Sequence, residues 1–431
     1  MLKVSIIGAG SEFTQNIVVD ILTIKGLDEG IIALVDLDAE RLDIAHQLVE
    51  KIIEKIGKKW SVIGSTDRKK VIADSDFVIN QIEVAGLHTV KLEYEIPLKY
   101  GVKQCIGDTL GPGGLFKTLR TLPAWLAIVK DIEELAPNAT ILNYTNPMSA
   151  VTLATTKVTT IPVVGLCHSI QNTSNDLARY LGIPYDELKW RAGGINHMSW
   201  FVELTHNGKD MYPVLREKMK DADLLAQDPV KFDAMQYLGA FVSESSGHFS
   251  EYIPYYRKRQ DLIDKHCSTG YNGGTGFYAN SWPTWRKEND EEIRRKLTGE
   301  DEIKLESSDE YAAVIIEGMV KNEPKVIYGN VLNQGLIENL KPDGVVEVAC
   351  LVDRNGVHPT RFGRLPEHLA ALCRTNQAFF ELAVDAALNK DKEMAMHALM
   401  VDPLTAAVCS LGEIKAMFDE LYEAERSYIE I

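Results

Sequence analysis

The sequence predicts an α/β fold: a Rossmann-like, doubly wound parallel sheet over residues 1–170, followed by a second, mixed α/β domain over residues 171–431. Three observations lead there. Short apolar runs alternate with helical stretches through the first part of the chain, as βαβ crossovers require. A Gly-x-Gly turn follows the first of these runs. From about Thr173 the alternation weakens into a mixed pattern.

The apolar runs are residues 3–7, 31–35, 76–81, 139–143 and 163–166. Rich in β-branched residues and apolar on both faces, they suit strands buried in a parallel sheet. Residues 14–25, 39–56 and 122–135 between them have helical spacing and length. In the second half, residues 190–204 alternate apolar and polar side chains around Gly193 and Gly194, which suggests antiparallel strands. Residues 268–276 are glycine-rich and read as a loop. Residues 366–389 read as a helix with Leu369, Cys373, Phe380, Ala383 and Ala387 on one face. No repeat or low-complexity linker separates the halves, so the second is expected to pack directly on the first.

Composition narrows the function classes. Lys plus Arg number 46 against 62 Asp plus Glu, a net charge of −16. Nucleic acid and anionic membrane both reward clustered positive charge, so neither is an expected partner. No apolar run approaches the roughly 20 residues of a membrane span, and the first residues lack the pattern of a secretory signal. A cytoplasmic enzyme is expected. Its six scattered cysteines, with no CxxC, read as reduced thiols.

Gly8-Ala9-Gly10-Ser11 stands between the first strand and the first helix. Glycines there let a phosphate approach the backbone amides of a helix N-terminus. The full dinucleotide fingerprint has a third glycine where this chain has Phe13. The second strand ends at Val35-Asp36, and a carboxylate there holds a ribose diol and repels a 2′-phosphate, favouring NAD over NADP. The other reading is a Rossmann-like sheet that binds no nucleotide.

Asn143-Tyr-Thr-Asn146-Pro147-Met148 and Cys167-His168-Ser169 each follow a strand, so both should face the crevice beyond the strands' carboxyl ends. Asn146 is held extended by the following proline, which suits either a ligand-binding amide or a turn former. His197, in Gly-Gly-Ile-Asn-His-Met, is a candidate metal ligand with Cys167, or a structural histidine. Asp108-Thr-Leu-Gly-Pro-Gly-Gly114 reads as a polar loop. Glu244-Ser-Ser-Gly-His248-Phe-Ser-Glu-Tyr252 gathers carboxylates, hydroxyls, an imidazole and a phenol, and Glu347 to Asp353 runs into a turn at Arg354.

Taken together, the motifs IIGAGS, DTLGPGG, NYTNPM, GLCHS, GINHM, SESSGHFSEY and VEVACLVDRNGVHP resemble glycoside hydrolase family 4, over nearly the whole chain. These are NAD- and manganese-dependent glycosidases. Cys167-His168-Ser169-Ile170 resembles the α-galactosidase (melibiase) branch, whereas branches acting on 6-phosphorylated sugars place Asp-Met-Pro or Asn-Val-Pro after the cysteine. α-Galacturonidase and α-glucosidase are the alternatives within the family. A 2-hydroxy-acid dehydrogenase or an NAD-sensing module would share the fold.

The resemblance implies hydrolysis outside the usual two-carboxylate scheme. The sugar's 3-hydroxyl is oxidised by NAD⁺, a base removes the acidified proton on carbon 2, and the aglycone is eliminated. Water then adds and the hydride returns, so NAD⁺ is regenerated. Carried over by motif, Cys167 and His197 bind the metal, Gly8, Gly10, Ser11 and Asp36 bind NAD, and Asn146 holds substrate hydroxyls. Tyr252 is the candidate base, with Glu244 and His248 as the alternatives for that role and as candidates for substrate binding. His168 replaces the aspartate of phospho-sugar members as the candidate acid, a role that Asp108 could also fill. Ligand softness would pair a thiolate with zinc or iron before manganese; the resemblance implies Mn²⁺. A homodimer or homotetramer is expected, with a small glycoside or oligosaccharide as substrate.

Overall fold

The computed structural model describes residues 1–308 and 310–431. Its strands are β1 (Leu2–Ile7), β2 (Glu29–Val35), β3 (Lys59–Ser65), β4 (Phe77–Asn80), β5 (Thr140–Asn143), β6 (Val163–Gly165), β7 (Leu188–Ile195), β8 (Met198–His206), β9 (Lys209–Asp210), β10 (Phe241–Val242), β11 (Lys325–Leu332), β12 (Val345–Asp353) and β13 (Gly356–Pro359). The five apolar runs of the first half are all strands, and β1, β2, β4, β5 and β6 pair in parallel. β3, which sequence reading passed over, extends the parallel edge beside β2. Only Trp60 of its seven residues is buried, so the two-sided apolar signature of a central strand is missing.

The two halves share one sheet, ordered β10-β8-β7-β12-β11-β6-β5-β4-β1-β2-β3. The expected second domain is therefore a continuation of the first sheet: β11 pairs antiparallel with β6, and everything beyond it is antiparallel. The main core likewise runs through both halves, from Val4 to Ile429, while a smaller one lies around Ile170, Leu177, Phe201 and Phe232.

Helix Gly111–Leu135 begins eleven residues earlier than its apolar spacing suggests, so most of the glycine-rich Asp108–Gly114 loop is its first turn. Pro112 suits that position because its missing N–H would be unpaired anyway. The glycines serve close packing: a Cβ on Gly113 would lie 2.1 Å from Gly107 O, and one on Gly114 would lie 2.2 Å from Thr109 C.

The register gathers the sequence motifs. Val35 pairs with Ile7, Ile7 with Asn80, Asn80 with Asn143 and Asn143 with Gly165. The same row continues through Asn330, Glu347, Gly194 and Ser199. Within three residues of this row the chain reaches Gly8 and Gly10, Asp36, Asn146, Cys167 and His197. Ser243 N donates to Ser199 O, which brings Glu244 to the same level. Motifs separated by more than two hundred residues therefore meet at one edge of the sheet. No helix among the described residues is long and apolar enough to cross a membrane.

Candidate active site

At the nucleotide loop, Gly8 has φ +85°, and a Cβ there would stand 2.7 Å from Gln81 O. Only glycine fits both the backbone angle and the close crossing. A Cβ on Gly10 would press on Arg41 and on the Asp36 carboxylate. Asp36 accepts hydrogen bonds from Gly10 N at 2.8 Å and Asp38 N at 3.0 Å, so it shapes the loop it was expected to serve. Phe13 in the third glycine position is 40% exposed, so its ring has room there. Gly10, Ser11, Arg41 and Arg286 line a cavity of about 580 Å³. That volume lies within the range typical of small-molecule sites.

The second cluster centres on Cys167, His197 and Glu244, each offering a donor atom within 4.8 Å of the others. Sequence reading assigned Glu244 to substrate; the structure groups it with the two candidate metal ligands. Its backbone, like that of His197, has positive φ, 76° and 61° respectively. That conformation is uncommon outside glycine and concentrates at functional sites. His197 Nε2 lies 3.6 Å from Glu244 Oε2, and its Nδ1 lies 3.2 Å from the Tyr252 hydroxyl.

A chain of polar contacts joins the clusters. Asn146 Nδ2 donates to Asp108 Oδ2 at 2.8 Å, and Thr109 Oγ1 donates to Asp108 Oδ1 at 2.7 Å. His248 Nε2 lies 3.4 Å from Asp108 Oδ1, an ion pair without good hydrogen-bond geometry, and its Nδ1 lies 3.8 Å from Glu244. His168, which immediately precedes the helix Ser169–Leu181, pairs its Nε2 with Glu310 Oε2 at 2.7 Å.

These contacts set the charges. Burial opposes ionisation of Asp108, but His248, Lys117 and His197 outweigh it and hold the carboxyl well below its ordinary range. Burial likewise opposes the Glu244 charge, and His197 and His248 outweigh it, bringing the group to about 2. His248 is raised to about 10: burial disfavours its charge, while Asp108 and Glu244 favour it more strongly. His197 falls to about 4, through burial and the neighbouring His248 charge. Burial, followed by Glu244 and Glu347, pushes the Cys167 thiol well up. Burial and Asp108 do the same to the Tyr252 phenol. Hydrogen bonding to Glu310 raises His168 against the opposing effect of burial.

Glu310 and Lys117 gave no sequence signal, and Glu347 was read only as the start of a segment running into a turn. Glu310 stands on the connection into the helix Tyr311–Lys321, outside every motif. Glu347 is fully buried on β12, where it shares a 2.6 Å hydrogen bond with Ser199, and burial raises it to about 8. Lys117, on the helix after Asp108, pairs with Glu83 at 2.7 Å. Gln81 and Asn196 are buried with both ends of their amides unpaired. Orphaned buried amides cost about 1–3 kcal/mol each. Their places, beside Gly8 and His197, mark a site completed by a ligand's polar groups.

The donors fit a divalent cation. A sulfur, an imidazole neutral at neutral pH and an ionised carboxylate converge there, with His197 Nδ1 tied to Tyr252 as an outer partner. The glycine loop and its cavity fit a dinucleotide.

The chain is 38% identical over its full length to an α-galactosidase of Bacillus subtilis, covering 99% of that protein. It superposes with a TM-score of 0.87 on the crystal structure of putative glucosidase lplD from Bacillus subtilis, which is 26% identical, over 98% of this chain and 99% of that one. It also superposes with a TM-score of 0.81, over all of both chains and at 25% identity, on the 6-phospho-β-glucosidase of Thermotoga maritima solved with manganese, NAD⁺ and glucose-6-phosphate. The model of family 4 glycosyl hydrolases matches residues 3–183, and that of the family's C-terminal domain matches residues 192–405. The chain belongs to glycosyl hydrolase family 4.

Proposed function

We propose that the protein hydrolyses α-galactosides by transient oxidation and elimination, using NAD⁺ and a divalent metal, with Mn²⁺ the native ion. The carrying observation is the register row that brings the Gly8–Ser11 loop beside the Cys167–His197–Glu244 donors. A hydride acceptor and a Lewis acid are thus offered to one small molecule. The similarity to an α-galactosidase over the full chain supports the sugar class.

NAD⁺, held at the Gly8–Ser11 loop, would accept the hydride from carbon 3 as the 3-hydroxyl gives up its proton, and a divalent ion held by Cys167, His197 and Glu244 would supply positive charge that acidifies the carbon-2 hydrogen and the Tyr252 phenol. The residues divide the remaining work. Asn146 and Asp108, linked at 2.8 Å, hold sugar hydroxyls. Tyr252 takes the carbon-2 proton, since His248 is already protonated at neutral pH and Glu244 belongs with the cation donors. His168 protonates the leaving oxygen: its hydrogen bond to Glu310 favours the protonated form, whereas Asp108 is ionised and has no proton to give.

Hydrolysis of a nitrophenyl α-galactoside is expected to need catalytic NAD⁺ and Mn²⁺ while absorbance at 340 nm shows no net NADH. Full activity after nucleotide stripping and chelation would overturn the reading. Stoichiometric NADH would point to a simple dehydrogenase.

A further inference from the structure

The glycine-rich stretch of residues 268–276 carries none of the chemistry above, yet it leads into the most aromatic surface near the site. Tyr271 stacks on Trp285, with ring centroids 5.9 Å apart and planes at 17°. Tyr278 stacks on Trp282 at 5.4 Å and 16°, and Phe277 sits edge-on to both Tyr271 and Trp285. Tyr278, Trp282 and Trp285 stand at i, i+4 and i+7 on the helix Phe277–Thr298, hence on one face. Every residue of that helix keeps some exposure, and Tyr271 is 53% exposed. A contiguous aromatic surface, exposed at Tyr271 and half-buried at Phe277, Tyr278, Trp282 and Trp285, marks an interaction site.

Its position limits what it can hold. Gly276 N donates to Gln104 O at 2.7 Å and Tyr278 N donates to Cys105 O at 3.0 Å, fastening the helix start to the segment that leads into Asp108. The Tyr271 carbonyl crosses Gly247 so closely that a Cβ there would approach to 2.5 Å, which fastens the loop to the helix of His248 and Tyr252. Tyr278, Asp108 and Lys117 line one cleft. The other half of the same helix, residues 286–296, lines the nucleotide-loop cavity. The dinucleotide therefore belongs to one half of the helix and the aromatic half borders the sugar site. What lies beyond the reacting sugar in an α-galactoside is its leaving group.

We propose that Tyr271, Tyr278, Trp282 and Trp285 form an aglycone subsite that stacks the leaving sugar ring of an α-galactosyl di- or oligosaccharide. The assignment rests on the α-galactoside reading. A pyranose presents a face of C–H bonds whose hydrogens carry slight positive charge, and an aromatic ring presents its negative face to them. The glycines of the preceding loop then have a purpose. Gly270, Gly273 and Gly276 take φ of +62°, +125° and +69°, angles that turn the chain sharply enough to seat Tyr271 over the helix start.

Trp282→Ala and Tyr271→Ala test this, with kcat/KM measured on an α-1,6-linked galactosyl disaccharide and on methyl α-galactoside, whose aglycone has no ring. Aromatic stacking worth about 1–1.5 kcal/mol corresponds to roughly a tenfold effect. The loss on the disaccharide is expected to exceed the loss on methyl α-galactoside by about that factor, with the galactose inhibition constant moving no more than the methyl glycoside does. Equal losses on both substrates, or no loss on the disaccharide, would overturn the subsite. Equal losses with a smaller mass in light scattering would make the surface a contact between copies of the chain. Wild-type protein that turns over neither glycoside would overturn the galactoside reading itself.

Discussion

Cys167→Ser is expected to lower turnover by more than about 100-fold at ordinary metal concentration, beyond the 10- to 100-fold typical of losing an outer-shell partner. NAD⁺ affinity should change by no more than about two-fold, as for a site without shared partners. The serine hydroxyl is neutral and hard, so it replaces neither the charge nor the polarisable donor of a thiolate. The geometry adds a direction with pH. Burial, Glu244 and Glu347 raise the Cys167 thiol, and a ligand must lose its proton to bind. Metal affinity of the wild type should therefore rise with pH through the neutral range, and this dependence should flatten in the serine variant. Titration calorimetry with Mn²⁺ and with NAD⁺ separates the two sites. Near-normal turnover by Cys167→Ser would remove the sulfur from the cation site.

Tyr252→Phe keeps the ring in its buried place and removes the ionisable group. Hydrolysis and exchange of the carbon-2 hydrogen should fall together by about 10²–10⁴-fold, the usual contribution of a general base. The variant also removes the partner of His197 Nδ1, which stands 3.2 Å away. A role confined to orienting His197 would appear as weakened Mn²⁺ binding, restored by higher metal concentration. A role as base leaves turnover low at saturating metal. Normal exchange in the variant would move the base elsewhere.

Much of the fold could be read from the sequence because buried parallel strands announce themselves through apolar, β-branched runs. β3 escaped for the same reason: at the sheet edge it buries Trp60 and little else. The single sheet was not legible, since it depends on the short β6–β11 pairing at Gly165 and Asn330, which no local pattern encodes. The site divides in the same way. Gly8, Gly10, Cys167, His197 and Asn146 stand in motifs at strand ends, where ligand sites form. Glu310 comes to His168 from 142 residues away, and Glu347 sits inside an ordinary-looking strand. Only the tertiary structure gives them partners. Glu244 could be picked out as reactive, but its place beside Cys167 depends on Ser243 meeting Ser199 across the sheet edge.

The central claim is that the carbon-2 proton of the sugar leaves and returns during hydrolysis. Turnover of an α-galactoside by the wild-type enzyme in deuterated water, with NAD⁺ and Mn²⁺ present, tests it most directly. Mass spectrometry and proton NMR of the released sugar should find solvent deuterium at carbon 2. A product with hydrogen retained there would contradict elimination and return the enzyme to displacement at the anomeric carbon.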